Sequence, residues 1–136
     1  MQFDDLGIAA AAAEFCRVMN DYREAGSHYG RALAKFGQVN ARREVADCLL
    51  GLAAMAVAKS DYDRAATLAG AFEALREEIE SPILAYDRRV LDGIITDGTK
   101  ALGLDSFERA RAAGRALPWQ QAVDFATRVI FMERSA

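Results

Sequence analysis

The sequence predicts an all-α fold in which antiparallel helix hairpins stack on one another. Two stretches that begin with Asp21-Tyr22 and Asp61-Tyr62 lie 40 residues apart, and Ala25 matches Ala65 at the same offset. Self-similarity with a period of about 20–50 residues is typical of stacked helical units. Apolar residues recur at helical spacing between short breaks, and there are only two prolines. We therefore expect one domain over residues 1–136, with about seven helices.

Composition and charge argue against several classes of protein. The net charge is −3 and the pI is near 5.2, whereas direct nucleic-acid binding usually needs a concentrated basic face. The N-terminus lacks the basic leader of a signal peptide, and no apolar run approaches the roughly 18 residues that span a bilayer. We expect a cytoplasmic chain without membrane contact, in which Cys16 and Cys48 are reduced, packed thiols.

The first predicted helix pair covers about residues 6–37. Asp4 or Asp5 can cap a helix over about Leu6–Met19, and Asp21 can cap a second helix. The inner face of the second helix is an apolar stripe at helical spacing, formed by Tyr22, Ala25, Tyr29, Ala32, Leu33 and Phe36.

The second pair covers about residues 41–79. Gly37 and Asn40 frame the connection into it, as a C-terminal glycine and an N-terminal asparagine cap commonly do. The third helix has an apolar stripe too wide for one contact, so we expect it to be the central and most buried helix. Ser60-Asp61 ends that helix and caps the fourth.

The last pair covers about residues 82–103 and 105–116, and a final helix covers about 118–134. Ser81 followed by Pro82 predicts a helix start, because proline is tolerated in the first turn. We expect weakening or a kink near Gly98 and an end at Gly103. Asp105 to Glu108 has the spacing of a capping box.

Ala25, Tyr29 and Ala32 match the small–aromatic–small spacing in tetratricopeptide repeats, whose usual period is about 34 residues. This likeness implies that the hairpins form a short tetratricopeptide-like superhelix. The offset of 40 residues is longer than that period. We therefore expect the Gln38–Arg43 connection or the neighbouring helix ends to absorb the extra residues.

A second likeness covers residues 47–127. DCLLGLAAMAVAKSDYDRAATLAGAFEALREEI and GLDSFERARAAGRALPWQQAVDFA resemble the C-terminal sensor tails of bacterial ATPase-containing transcription activators of the LuxR and AfsR types, and of their adenylate-cyclase-linked relatives. The most specific pieces are Gly51-Leu52-Ala53, Ala65 to Gly70 with Glu73 to Arg76, and Gly114 to Leu117. The resemblance implies a non-catalytic module in transcription regulation that contacts a protein or senses an inducer. The sequence departs from whole regulators in showing neither a P-loop nor an evident recognition helix.

No pattern predicts catalysis. His28 is the only histidine, and helical spacing does not let it form a Ser-His-acid relay with Ser27. Cys16, Cys48 and His28 lack the spacing of zinc ligands, and no glycine pattern fits a phosphate cradle. We predict no catalytic, cofactor-binding or metal site, and no enzyme activity.

Two arginine doublets are candidates for binding a partner. Arg42-Arg43 and Arg88-Arg89 lie near the starts of the third and fifth predicted helices, where they could share a rim that takes a carboxylate or phosphate. The alternative is that each pairs with an acid on its own helix, namely Glu44, Asp47, Asp87 or Asp92. Tyr22 and Tyr29 are the aromatic candidates. A small-molecule pocket between helices would be lined by Tyr22, Tyr29, Tyr62, Phe72 and Tyr86.

The C-terminal run Val129-Ile130-Phe131-Met132 is unbroken and apolar. On a helix such a run cannot be buried on one side only, so with Trp119 it predicts a self-interface that forms a homodimer. The sequence favours a module that binds a protein or peptide partner or acts as a sensor. The alternatives are a self-assembly element and an inducer-binding domain.

Overall fold

The computed structural model of the chain describes Glu14, Cys16, Arg17 and residues 20–135, without the side chains at 129 and 131–135. The described part is all-helical and contains no strand. Six helices follow one another: α1 (Tyr22–Gln38), α2 (Arg42–Ala58), α3 (Tyr62–Glu78), α4 (Ala85–Leu102), α5 (Leu104–Arg115) and α6 (Trp119–Ser135). The predicted first helix, Leu6–Met19, lies mostly outside the described residues, of which Glu14, Cys16 and Arg17 are helical.

The links between the first helices share one geometry. Residues 39–41 and 59–61 each form a three-residue link between helices of 17 residues. Positive φ angles occur at Asn20, Asn40, Ser60 and Glu80, at intervals of 20 residues. At each site the next amide donates to the carbonyl five residues earlier, as Ala41 does to Phe36 at 2.8 Å. This is the Schellman arrangement that closes a helix C-terminus.

This geometry corrects two predictions about the second connection. Gly37 lies inside α1, and Asn40 adopts the left-handed conformation after the helix, so it does not cap α2; Ala41 is the N-cap residue. Asparagine serves there because its short polar side chain tolerates that conformation. The 40-residue offset does not require a long connection, because the link between α1 and α2 has only three residues. The additional residues relative to a 34-residue period lie in the length of the helices.

The buried face predicted for α1 is confirmed except at Tyr22, which is half-buried, and the wide apolar stripe predicted for α2 is buried. Ala25 and Ala65, the residues matched at the 40-residue offset, are both fully buried. Helix α2 is central, as predicted, but it shares that position with α3, which packs against α2, α4, α5 and α6. The largest fully buried side chains are those of Phe72, Phe107, Leu33, Leu49, Met55, Leu68 and Leu91.

The second half of the chain departs from prediction at its helix starts. Helix α4 begins at Ala85, after an extended segment over 81–84, and not at Pro82. Helix α5 begins at Leu104 without a side-chain cap, so the capping box at Asp105 does not form. The start of α4 follows a segment in which Ser81 accepts a hydrogen bond from Arg76. The start of α5 follows Gly103, which has a positive φ of 87°. The end at Gly103 is as predicted.

Helix α4 continues past Gly98 to Leu102, so this glycine does not interrupt it. Gly98 is buried beneath the Phe107 ring of α5, and a Cβ atom at this position would overlap that ring. The glycine therefore provides room for an aromatic side chain and does not break the helix.

Helices α3 and α5 cross with their backbones in close contact. A Cβ atom on Gly70 would overlap the Arg111 carbonyl, and one on Gly114 would overlap the Thr67 carbonyl. Ion pairs flank the crossing: Arg111 Nε donates to Glu73 at 2.6 Å, and Arg115 donates to Glu77 at 2.8 Å. The hydrogen bond from Arg115 lowers the pKa of Glu77.

Candidate binding cleft

A cleft of about 390 Å³ is lined by residues of α1, α2, α3 and α4 together with Glu14 and Arg17. We call it the Tyr29 cleft. Ligand sites in proteins typically have volumes of about 300–1,000 Å³. Among the described residues of its wall, the guanidinium groups are those of Arg17, Arg43 and Arg76. The carboxylates are those of Glu14, Asp47 and Asp87. The apolar side chains include Leu50, Leu84 and Val90.

Tyr29 reaches the cleft from the inner face of α1. Its side chain is 3 % exposed, and the hydroxyl lies against Gly51 of α2, where a Cβ atom would overlap it. No described residue forms a hydrogen bond with this hydroxyl. Burial raises the pKa of Tyr29, and the neighbouring Arg17 guanidinium offsets part of that rise. Tyr29 therefore keeps its phenol proton at neutral pH, beside the Arg17 guanidinium.

Arg76 of α3 is a charged side chain in a core position, 3 % exposed. It donates to Ser81 Oγ at 2.6 Å, to Asp47 at 2.7 Å and to Asp87 at 3.2 Å. Its guanidinium lies 5.6 Å from the centre of the Phe72 ring, in a cation–π contact. Its Nε has no hydrogen-bond partner among the described residues.

Two side chains of α2 have altered pKa values beside Arg76. Burial raises the pKa of Asp47, and the Arg76 guanidinium counteracts part of this rise. Burial, with a smaller effect of the nearby Asp47 and Glu44 carboxylates, raises the pKa of the Cys48 thiol to about 12. Cys48 therefore lines the cleft as a neutral thiol, as the prediction of a packed thiol implies.

A small polar cluster forms the mouth of the cleft. Tyr86 donates its hydroxyl hydrogen to Glu14 at 2.8 Å, and Arg17 donates to Glu14 at 2.8 Å and to the Tyr86 oxygen at 3.3 Å. The bond to Glu14 raises the pKa of Tyr86. Leu84 and Tyr86 are both at least half exposed, so an apolar edge borders the charged interior.

The structure separates the four arginines that the sequence proposed as one rim. Arg43 lines the Tyr29 cleft. Arg42 pairs with Glu78 of α3 at 3.4 Å, and so not with an acid on its own helix. Arg88 borders a different hollow, beside Glu77 and Pro82. Arg89 is exposed and does not line the cleft.

The aromatic candidates also divide. Tyr29 and Tyr86 both line the cleft, whereas Phe72 is fully buried in the core. Tyr22 is half-buried and donates to Asn20 at 2.8 Å, and Tyr62 lies outside the cleft lining. The predicted aromatic pocket is thus reduced to two of its five members.

Arg76 is one of the site residues that the sequence interpretation missed, as are Glu14 and Arg17. Arg76 carries a signal in the sequence that could have identified it. It follows Phe72 by four positions on α3 and so continues the inward stripe. A charged residue at such a position indicates a buried ion pair. Its acidic partners are 29 and 11 residues away in the sequence, so spacing alone does not identify them.

Part of the predicted self-interface packs within the chain. Ile130 is buried, with its side chain over Gly30 and Gly26 of α1. Trp119 is half-buried against the core. The side chains of Val129, Phe131 and Met132 lie outside the described residues. Their place in a self-interface stays a prediction.

Comparison with known proteins gives no relative from which function can be transferred. No family model matches the chain, and no match is found among the curated proteins or the solved structures. The case for a function rests on the cleft. In the described part of the chain, no helix has the length and apolar character to cross a membrane, and no three potential metal-ligating side chains of the His, Cys, Asp and Glu types are grouped.

Proposed function

We propose that the chain is a non-catalytic interaction or sensor module, and that the Tyr29 cleft is its binding site. One observation carries the proposal: two side chains that are 3 % exposed, Tyr29 and Arg76, each hold a polar atom without a partner among the described residues, at one cleft. A buried polar atom without a partner costs about 1–3 kcal/mol. A bound ligand or peptide group would remove that cost.

We further propose that the module has the role implied by its likeness to sensor tails, within a bacterial transcriptional regulator or as a stand-alone relative. Residues that carry the likeness also build the cleft, because Gly51 accommodates the Tyr29 hydroxyl and Arg76 forms its charged wall. The 20-residue spacing of the links supports a tetratricopeptide-like stack of helix pairs. The ligand would then be a protein segment or an inducer.

The proposal is tested by screening peptides and small metabolites for thermal stabilisation of the parent chain. Ligands that bind the cleft raise the melting temperature of the chain, and at equal concentration a tighter ligand raises it more. We expect these shifts to be lost in Tyr29→Phe and Arg43→Ala. They should persist in Arg109→Ala, which removes an exposed arginine of α5, a helix that does not line the cleft. A ligand that stabilises all four proteins equally would place binding elsewhere.

Self-assembly through α6 is the competing proposal, supported by the apolar run at 129–132. Its test is the solution mass over a dilution series, measured by light scattering coupled to size-exclusion chromatography. A persistent dimer that is lost in Phe131→Glu would assign the run to a self-interface. A monomer at all concentrations would remove this function and leave the cleft proposal unaffected.

A further inference from the structure

The carboxylates of the Tyr29 cleft already have donors. Glu14 accepts from Arg17 and from Tyr86. Asp47 and Asp87 both accept from Arg76. None of the three is an unpaired anion, so the cleft is not built to attract a cation.

The unused hydrogen-bonding capacity consists of donors. The Tyr29 hydroxyl and the Arg76 Nε–H have no partner among the described residues, although both side chains are 3 % exposed. Arg43 adds an exposed guanidinium at the same cleft. Three residues with donor groups line one cavity, and such a set complements a group with several acceptor atoms and a negative charge.

Extending the proposed function, on which this inference rests, we propose that the Tyr29 cleft binds the carboxylate of a small monoanionic ligand with an apolar body. The carboxylate accepts from Tyr29 and Arg43, and the Arg76 guanidinium adds positive charge at the wall. Leu50 and Val90 of the wall, together with the exposed Leu84, contact the apolar body. A phosphate dianion fits less well, because three carboxylates balance the three guanidinium groups of the wall.

Binding requires one side-chain movement. The Tyr29 hydroxyl and the Arg76 Nε are closed to solvent in this conformation. Arg17 lies beside the Tyr29 hydroxyl and is held by Glu14 and Tyr86 at the mouth. A rotation of Arg17 away from the phenol opens the Tyr29 hydroxyl to the ligand. Such a rotamer change is common at binding sites whose backbone is preformed.

The test uses matched pairs that differ only in the carboxylate, with affinity measured by calorimetry on the full chain. Phenylacetate and phenylacetamide represent a free acid and its neutral analogue. N-acetyl-phenylalanine and its amide represent the end of a peptide, and inorganic phosphate represents a dianion without an apolar body. We expect at least one acid to bind about tenfold or more tightly than its amide. Which acid binds better separates a metabolite from a peptide terminus.

Two variants connect that preference to the cleft. Tyr29→Phe removes only the hydroxyl, and Arg43→Ala removes the exposed guanidinium; each should weaken acid binding about fivefold or more. Arg109→Ala should bind the acid as the parent does. Equal affinity for acid and amide, equal binding of phosphate, unchanged affinity in both cleft variants, or no binding of either acid at millimolar concentration would overturn the proposal. A neutral or cationic ligand lost in Tyr29→Phe would overturn the carboxylate assignment and keep the proposed function.

Discussion

At the scale of single residues, Tyr29 and Arg76 differ from the rest of the core. The buried positions around them are filled mostly by alanine and leucine, which leave no polar atom without a partner. Each orphaned donor in the Tyr29 cleft lowers stability by about 1–3 kcal/mol. Residues that reduce stability in this way commonly belong to functional sites. The burial of Tyr29 was predictable from helical spacing, whereas its missing partner depends on which helices converge there.

Cys48 gives a prediction at this scale. Its pKa of about 12 lies well above the ordinary value of about 8.5, so little reactive thiolate is present at pH 8.5. In Cys16→Ser, which leaves Cys48 as the only thiol, we expect alkylation in the native state to be at least about 100-fold slower than in urea. Samples quenched at a series of times and analysed by mass spectrometry give the alkylation rates in both conditions. Similar rates in the two conditions would show that Cys48 is accessible and ionised in the folded chain.

At the scale of secondary-structure elements, the contacts between helices depend on glycines whose role has little to do with flexibility. Gly51, Gly70, Gly98 and Gly114 all lie within helices, and at each one a Cβ atom would overlap a neighbouring element. Gly93 of α4 lies equally within a helix, yet nothing approaches its Cβ position within 4 Å. The sequence alone does not distinguish these two kinds of helical glycine.

This difference predicts opposite effects of one substitution. Gly114→Ala should lower the free energy of unfolding by about 1–3 kcal/mol, because the α3 backbone at Thr67 must move away. Gly93→Ala should raise the free energy of unfolding by up to about 1 kcal/mol, because alanine favours a helix over glycine. Urea denaturation followed by circular dichroism compares both variants with the parent. If the two variants are equally stable, the close α3–α5 crossing is not present in solution.

At the scale of the whole molecule, Arg76 connects three helices. From α3 it bonds to Asp47 of α2 and to Asp87 of α4, and it also holds Ser81 in the extended segment between α3 and α4. The contacts of one side chain thus fix the position of the segment that precedes α4. The wall of the cleft and the packing of these helices depend on the same group.

Replacement of Arg76 should therefore destabilise the entire fold. We expect Arg76→Met, which keeps much of the volume, to lower the free energy of unfolding by about 2–4 kcal/mol. The lower end reflects the half-exposed state of Asp47, which water can solvate after the change. Arg109→Met is the control and should lie within about 0.5 kcal/mol of the parent. If Arg76→Met also lies within about 0.5 kcal/mol of the parent, the hydrogen-bond network around Arg76 contributes little to stability.

The sequence allowed the helices and their buried faces to be predicted better than their ends or the site. Periodicity determines the stripe of α1, because each apolar residue repeats the spacing of the last. The start of α4 depends instead on Ser81 being held by Arg76, a contact that local rules for proline do not contain. The arginine doublets failed to form one rim for a related reason: Arg42 is engaged by Glu78 of another helix.

The six-residue segment from Ile79 to Leu84 interrupts the series of three-residue links. Where the links between successive helices have equal length, the side chains of those helices fill the space between them. The longer link precedes α4. Residues just after this link, namely Tyr86, Asp87 and Val90, line the Tyr29 cleft. The Tyr29 cleft therefore lies beside the six-residue link, at the point where the pattern of three-residue links ends.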